Sequence, residues 1–388
     1  MENEKTVMLR EIAMQPDFVV ESVRPMLDAM RKSLEDREPG HLVHGYMIGC
    51  GDSYCAAIAA RQYMMKVTGL TVEPVEALEF SHYLVEDLPA NSFVFGISNS
   101  GTVSRTIEGV RRARERGAWT FGVTVSEDNK LAKAAETLIK VNATPNIKEL
   151  GDGTRVVTPG SITYTASMLG LYTAAIAIGE RLGNLDADAV EALVTELEAV
   201  GESMRQAEAP TRDLAREIAP SFTRDRHTVI VGGGPNYATA YFAMAKWFES
   251  LTRPAHLSQL EEWAHEHYFM TNETVDTFII LPPGRGRRRG LEQARAAREM
   301  GGRVIMIAAA SDEEAAAAAD VHFQMPDGVP EALTPFVYKL PFEHLGCEIS
   351  RVQEIPFLGF HEPKRQQVNF RQIFESADFD ADDMVAAK

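Results

Sequence analysis

Cysteine is scarce in this chain: Cys50, Cys55 and Cys347 are the only three, and none is spaced C-x-x-C. That leaves no disulfide framework, so a reducing compartment, the cytosol, is expected. Basic residues are also under-represented, with 39 Lys and Arg against 56 Asp and Glu, for a formal charge of -17. General binding to a phosphate backbone needs dense positive charge, so no nucleic-acid partner is expected, and a small anion would need a local pocket of donors. The longest apolar run, around Ala166 to Gly179, covers about fourteen residues, short of the ~20 that span a bilayer, so no membrane crossing is expected. The start, with Glu2, Glu4 and Lys5, lacks the basic and then apolar pattern of a signal peptide. No Pro/Ser-rich linker interrupts the chain.

What is present is ordinary globular composition, 45% hydrophobic and 24% charged, over 388 residues. That length favours two cores over one. Apolar positions at Val19, Val23, Leu27, Met30 and Leu34 predict a leading helix over 17–36, kinked or restarted at Pro25. After Pro39-Gly40 a buried strand, Val43 to Ile48, runs into Gly49-Cys50-Gly51-Asp52-Ser53 and an Ala-rich helix. Strands at 71–75, Phe93 to Ile97 and Trp119 to Thr124 alternate with helical stretches such as 103–116, the pattern of a parallel, doubly wound α/β sheet. A helix from Ser161 to Arg181 closes this unit, and a second over 187–219 bridges to the next.

The second half repeats the order: a strand over Thr228 to Val231, Gly232-Gly233-Gly234-Pro235-Asn236, a helix to about 250, a strand at 277–281, a helix at 290–300 and a strand from Arg303 to Ile307. Gly51 to Gly234 is 183 residues, while Ile97 to Leu281 and Val123 to Ile307 are each 184, which indicates an internal duplication. The expected organisation is a helical segment over 1–36, a first module over 37–186, a helical connection over 187–220, and a second module with a C-terminal tail over 221–388.

Open parallel sheets collect ligands beyond the carboxyl ends of their strands, where helix N-termini present N–H groups to anions. Two such ends carry suitable residues. Gly51, Asp52 and Ser53 offer close backbone approach and a hydroxyl, and Ser98-Asn99-Ser100-Gly101-Thr102 offers three hydroxyls and a carboxamide. On the residues alone, Ser98, Ser100 and Thr102 fit a helix cap as well as a phosphate monoester. A dinucleotide fingerprint is weak, because Tyr54 stands where its third glycine belongs, although Glu76 lies 25 residues beyond Gly51.

These residues resemble the SIS (sugar isomerase) family, in particular the isomerase half of glucosamine-6-phosphate synthase and the related fructosamine-phosphate deglycases. Glu11-Ile12-x-x-Gln15-Pro16 looks like the family's opening segment, Cys50-Gly51-Asp52-Ser53-Tyr54 is similar to its C-G-T-S-Y turn, and Ile97-Ser98-Asn99-Ser100-Gly101 to its I-S-Q-S-G loop. The resemblance implies two tandem flavodoxin-like modules, with Ser53, Ser98, Asn99 and Ser100 on the phosphate of a six-carbon sugar phosphate. Ser161-x-x-Tyr164-Thr165 matches a further substrate-side segment. The family threonine after the loop falls on Val103, leaving Thr102 or Ser104 to supply that hydroxyl.

In the second half, Lys246-Trp247-Phe248-Glu249-Ser250 resembles the K-x-x-E segment that carries the family base, and His265 follows sixteen residues later. The resemblance implies that Glu249 moves a proton between C1 and C2 and that His265 opens the ring, reaching a neighbouring subunit's site in a homodimer. Glu262 would orient His265. Val368 stands where the synthase has its Schiff-base lysine, and Lys364 and Arg365 lie just upstream. With no glutaminase region ahead of the match, glutamine-dependent amination is not expected.

His265, His267 and His256 lack a clear further metal ligand, so no metal and no cofactor is expected. The run Arg285 to Arg289 reads as an exposed loop. The expected activity is deglycation of a fructosamine 6-phosphate or aldose–ketose isomerisation, with a non-catalytic sugar-phosphate sensor as the alternative.

Overall fold

The computed structural model describes residues 2–35, 39, 41–143, 147–149 and 155–378. The expected boundary between residues 36 and 37, and the tail beyond 378, lie outside the described residues.

Helix α1 (Glu2–Ser33) buries the stripe Val19, Val23, Leu27 and Met30, as spacings of three and four require. The helix does not restart at Pro25, since Pro16 and Pro25 both lie inside one continuous element. Each proline removes one backbone donor, but the buried stripe holds the helix against its neighbours on both sides of the lesion.

The first sheet contains β1 (His44–Gly49), β2 (Thr71–Glu76), β3 (Ser92–Ile97), β4 (Trp119–Thr124) and β5 (Thr137–Lys140), all parallel, in the order β2-β1-β3-β4-β5. Strands β3 and β4 are buried at every position, as in a sheet covered on both faces. Its covering helices include α2 (Asp52–Thr68), α3 (Ser104–Glu115) and α4 (Ile162–Arg181). Helix α4 is longer than its apolar run and, by length and composition, is the one described helix that could cross a membrane; its apolar window is entirely buried inside the protein. It lies between α1 and α2 as the spine of the first module.

Helix α5 (Ala187–Ile218) packs along α1 and leads to a second parallel sheet, β6 (His227–Gly232), β7 (His256–Gln259), β8 (Val275–Leu281), β9 (Arg303–Ala309) and β10 (Val321–Met325). Its order, β10-β9-β8-β6-β7, repeats the first sheet strand for strand. The glycines 183 residues apart share a left-handed backbone, with φ of 56° at Gly51 and 55° at Gly234, a conformation that an L side chain resists. Helices α6 (Asn236–Leu251), α7 (Arg287–Glu299), α8 (Leu340–Val352) and α9 (Pro363–Phe374) follow.

The two modules share one apolar core that includes residues of α1, α2, α4, α5, α6 and α8. Tyr164 of α4 stacks on Phe242 of α6 with ring centroids 4.3 Å apart. The Tyr172 hydroxyl reaches Ala59 O at 3.0 Å and Ala332 O at 2.7 Å, linking the halves by polar contact as well.

Candidate active site

Strands β1 and β3 are neighbours at the place where the strand order reverses, so the turns after them lie side by side at the carboxyl edge of the sheet. Ser98 is buried, and its Oγ accepts from the Gly101 N–H at 3.1 Å. Ser100 Oγ and Thr102 Oγ1 lie 2.8 Å apart. Gly101 has a φ of 65°, and a Cβ there would come within 2.0 Å of Asn129 Cγ, so only glycine fits this bend. Helix α3 starts at Ser104 with Val103 as its N-cap and no side-chain capping bond. The hydroxyls at 98, 100 and 102 therefore do not cap that helix. Asn99 Nδ2 is shut off from solvent with no partner among the described residues. An unmet buried donor of this kind is costly.

The turn before α2 places Gly51 as the N-cap and Asp52 and Ser53 in the first helical turn. Glu76 is not free to hold a ribose, because its carboxylate accepts from Leu78 N at 2.8 Å and Glu79 N at 3.1 Å and faces Cys50 Sγ at 3.2 Å. Burial, reinforced by Glu76, pushes the Cys50 thiol up to about 12 and keeps it protonated.

Helix α6 brings Lys246 against this turn. The Lys246 ammonium is fully buried and lies 2.9 Å from Asp52 Oδ2 and 2.5 Å from Glu249 Oε2. Burial alone would lower its pKa; the Asp52 and Glu249 carboxylates outweigh that and hold it above the ordinary lysine value. Glu249 keeps 30% of its side chain accessible. Dense surroundings raise its pKa, with Lys246 opposing the shift and Asp52 adding to it. The Gly160 backbone, close to the same carboxylate, opposes the rise slightly. A Cβ on Gly160 would lie 2.0 Å from Asp52 Oδ2, so glycine is what lets this backbone approach. A carboxylate with raised proton affinity, held against a buried cation, is chemically suited to take up a proton.

A second buried ion pair lies behind the first. Lys339 and Glu343, both without solvent contact, are 2.7 Å apart. Gln15 of α1 joins them to the start of α4: its Oε1 accepts from Lys339 Nζ and from Thr165 Oγ1 (2.5 Å), while its Nε2 donates to Ser161 Oγ (2.9 Å) and Glu343 Oε2 (3.1 Å). Two donors on one side and two acceptors on the other fix the amide orientation. Burial lowers the Lys339 pKa more than Glu343 restores it. The Phe242 ring lies 4.8 Å from Lys246 Nζ and 5.9 Å from Lys339 Nζ. The residues alone did not point to Lys339 or Glu343, although a lysine and a glutamate at i,i+4 inside the apolar stretch 333–349 were a usable signal.

Other expected site residues lie elsewhere. His265 keeps 67% of its side chain exposed and is not among the groups that bear on Glu249. The carboxylate facing it is that of Glu261, at 3.6 Å, while Glu262 offers it only a backbone carbonyl at 3.0 Å. Lys364 and Arg365 are exposed on α9 and line a separate cleft of about 430 Å³ with Leu358, Phe360 and Val368. The rings of His256 and His267 sit 5.7 Å apart, and among the described residues no group of three or more His, Cys, Asp or Glu side chains could hold a metal. The basic run is largely paired: Arg287 with Asp312 and Glu314, Arg288 with Glu292, and Arg289 with Glu261 and Glu292.

The chain is 25% identical over 360 residues to the glutamine–fructose-6-phosphate aminotransferase [isomerizing] of Mycobacterium leprae, covering 89% of this chain and 55% of that protein. It thus spans about half the length of the curated relatives it matches. Among solved structures it resembles the C-terminal domain of glucosamine-fructose-6-phosphate aminotransferase from Francisella tularensis, with a TM-score of 0.80, 17% identity, and coverage of 90% of this chain and 97% of that one. It also resembles tagatose-6-phosphate ketose/aldose isomerase from Escherichia coli, with a TM-score of 0.71, 15% identity, and coverage of 89% and 92%. Identities this low speak to the fold alone. The SIS domain matches twice, over residues 44–170 and 221–345, one match to each sheet, and the chain belongs to the SIS domain family.

Proposed function

We propose that this chain is an enzyme acting on a six-carbon ketose or ketosamine 6-phosphate by moving a proton between C1 and C2, with deglycation of a fructosamine 6-phosphate preferred over simple isomerisation. The observation that carries this reading is the Glu249 carboxylate, partly open, high in proton affinity, and bound to a buried lysine beside the turns that follow β1 and β3. The names of its relatives, which concern fructose 6-phosphate and ketose/aldose isomerisation, support the same substrate class.

Ser53, Ser98, Asn99, Ser100 and Thr102 hold the phosphate, the unmet Asn99 amide donor among them. Ser161 accepts from Gln15, so its own proton is left to donate to a sugar oxygen. Glu249 takes a proton from C1, the enolamine is reprotonated at C2, and water cleaves the resulting C1 imine to free amine and aldose phosphate. His265, exposed on its own chain, serves the neighbouring subunit's site in a homodimer as the acid for ring opening.

Proton NMR in deuterated buffer tests this, with fructose 6-phosphate and a fructosamine 6-phosphate as substrates. Exchange at C1 with release of amine is expected from the second. Exchange giving aldose from the plain ketose alone would make the protein an isomerase. Saturable binding without exchange on either would mark it as a sensor and refute the enzymatic reading.

A further inference from the structure

Asp52 puts a carboxylate into the turn where the family pattern has a threonine, and its surroundings show an acceptor that the protein does not use. Its Oδ2 holds Lys246 at 2.9 Å. Its Oδ1 is shielded from water and has no hydrogen-bond partner among the described residues. A carboxylate offers about four acceptor sites, and leaving an oxygen both dry and unpaired costs free energy that most proteins avoid. The side chain nevertheless keeps 22% of its surface accessible, through atoms other than Oδ1, so it is not sealed in the core.

The charge balance points the same way. Lys339 and Glu343 cancel each other. Asp52 and Glu249 together face the single ammonium of Lys246, which leaves the ionised cluster one negative charge in excess. Buried charge without a counterpart is unfavourable. One ammonium nitrogen bridges Asp52 to the proposed base, so a substrate group beside the reacting carbon comes within reach of both. A plain ketose brings no charge to that place. A ketosamine brings a protonated amine.

Resting on the proton-transfer reading above, we infer that Asp52 is a specificity-determining residue whose carboxylate selects sugar phosphates bearing a protonated amine next to the reacting carbon over plain ketose phosphates. The amine supplies the missing positive charge on the accessible side of the Asp52 and Glu249 carboxylates. Glycine at 160 belongs to the same device, because any side chain there would strike Oδ2.

The test compares wild type with Asp52→Asn, which keeps size and a carbonyl acceptor for Lys246 but removes the charge. Calorimetry gives the affinities of fructosamine 6-phosphate and fructose 6-phosphate, progress curves give kcat/KM for each, and thermal melts establish that the variant is folded. Wild type is expected to prefer the amine, and Asp52→Asn to lose about 10- to 100-fold in kcat/KM for it while fructose 6-phosphate affinity changes by less than about 3-fold, the scale of one hydrogen bond to a charged group. Asp52→Thr is expected to show the same selective loss. Equal losses on both ligands would make Asp52 a structural partner of Lys246 only and overturn the inference, as would an unchanged preference for the amine. Wild type that binds neither sugar phosphate would instead overturn the proposed substrate class, and this inference with it.

Discussion

Replacing Lys339 by Met removes one half of a fully buried ion pair and leaves the other half in place. In the native chain Glu343 Oε1 meets the Lys339 ammonium at 2.7 Å and Oε2 receives only the Gln15 amide at 3.1 Å. Without the lysine, a carboxylate with no solvent contact keeps a single neutral donor. Gln15 itself stays satisfied, because Thr165 still donates to its Oε1, so the damage is confined to Glu343. Breaking a buried pair from one side costs about 3–5 kcal/mol, whereas replacing both partners by apolar groups of similar volume is close to neutral. Lys339→Met alone should therefore move the denaturant midpoint sharply down, and the double change Lys339→Met with Glu343→Leu should recover most of the loss. Urea unfolding followed by tryptophan fluorescence reads both, with Trp247 and Trp263 buried in the second module. A single variant within about 1 kcal/mol of wild type, or a double variant no better than the single, would show that Glu343 does not depend on Lys339 and refute the reasoning.

Glu249→Gln should abolish C1 exchange while saturable sugar-phosphate binding persists, because the amide keeps the shape and loses the base. In wild type, activity requires ionised Glu249, so kcat/KM should fall as pH drops through a value above the ordinary glutamate 4.5, the direction in which burial shifts this group. Asp52 raises that value further, so the acid limb of the Asp52→Asn profile should move to lower pH. Gly101→Ala forces a left-handed residue and a Cβ 2.0 Å from Asn129 Cγ; a stability loss of at least about 2 kcal/mol is expected by chemical denaturation, together with weaker phosphate binding in calorimetry.

Much of the fold was legible in the sequence. Short apolar runs predicted β1, β2, β3, β4, β6, β8 and β9 to within a few residues, and constant offsets between the halves predicted a duplication that the identical strand order bears out. The strands β5, β7 and β10 escaped: all three are edge strands, four or five residues long, with exposed positions that break the apolar run. A restart at Pro25 is what local rules allow, because they count a missing hydrogen bond without the tertiary burial that holds α1 together. The resemblance pairs Glu262 with His265, whereas within this chain the carboxylate facing that histidine is Glu261.

Residue type and spacing, read along the chain, determined the two modules, the glycine turns and the hydroxyl loop, because periodicity and turn chemistry are local properties of the backbone. Only the tertiary structure decided which charges meet. Lys246 and Asp52 are 194 positions apart, and Lys339 and Gln15 are 324 apart. In sequence a lysine four residues before a glutamate reads as a solvated helix face. It becomes a buried, oriented network only when α1, α4, α6 and α8 close around it and remove the water that would otherwise have satisfied each charge.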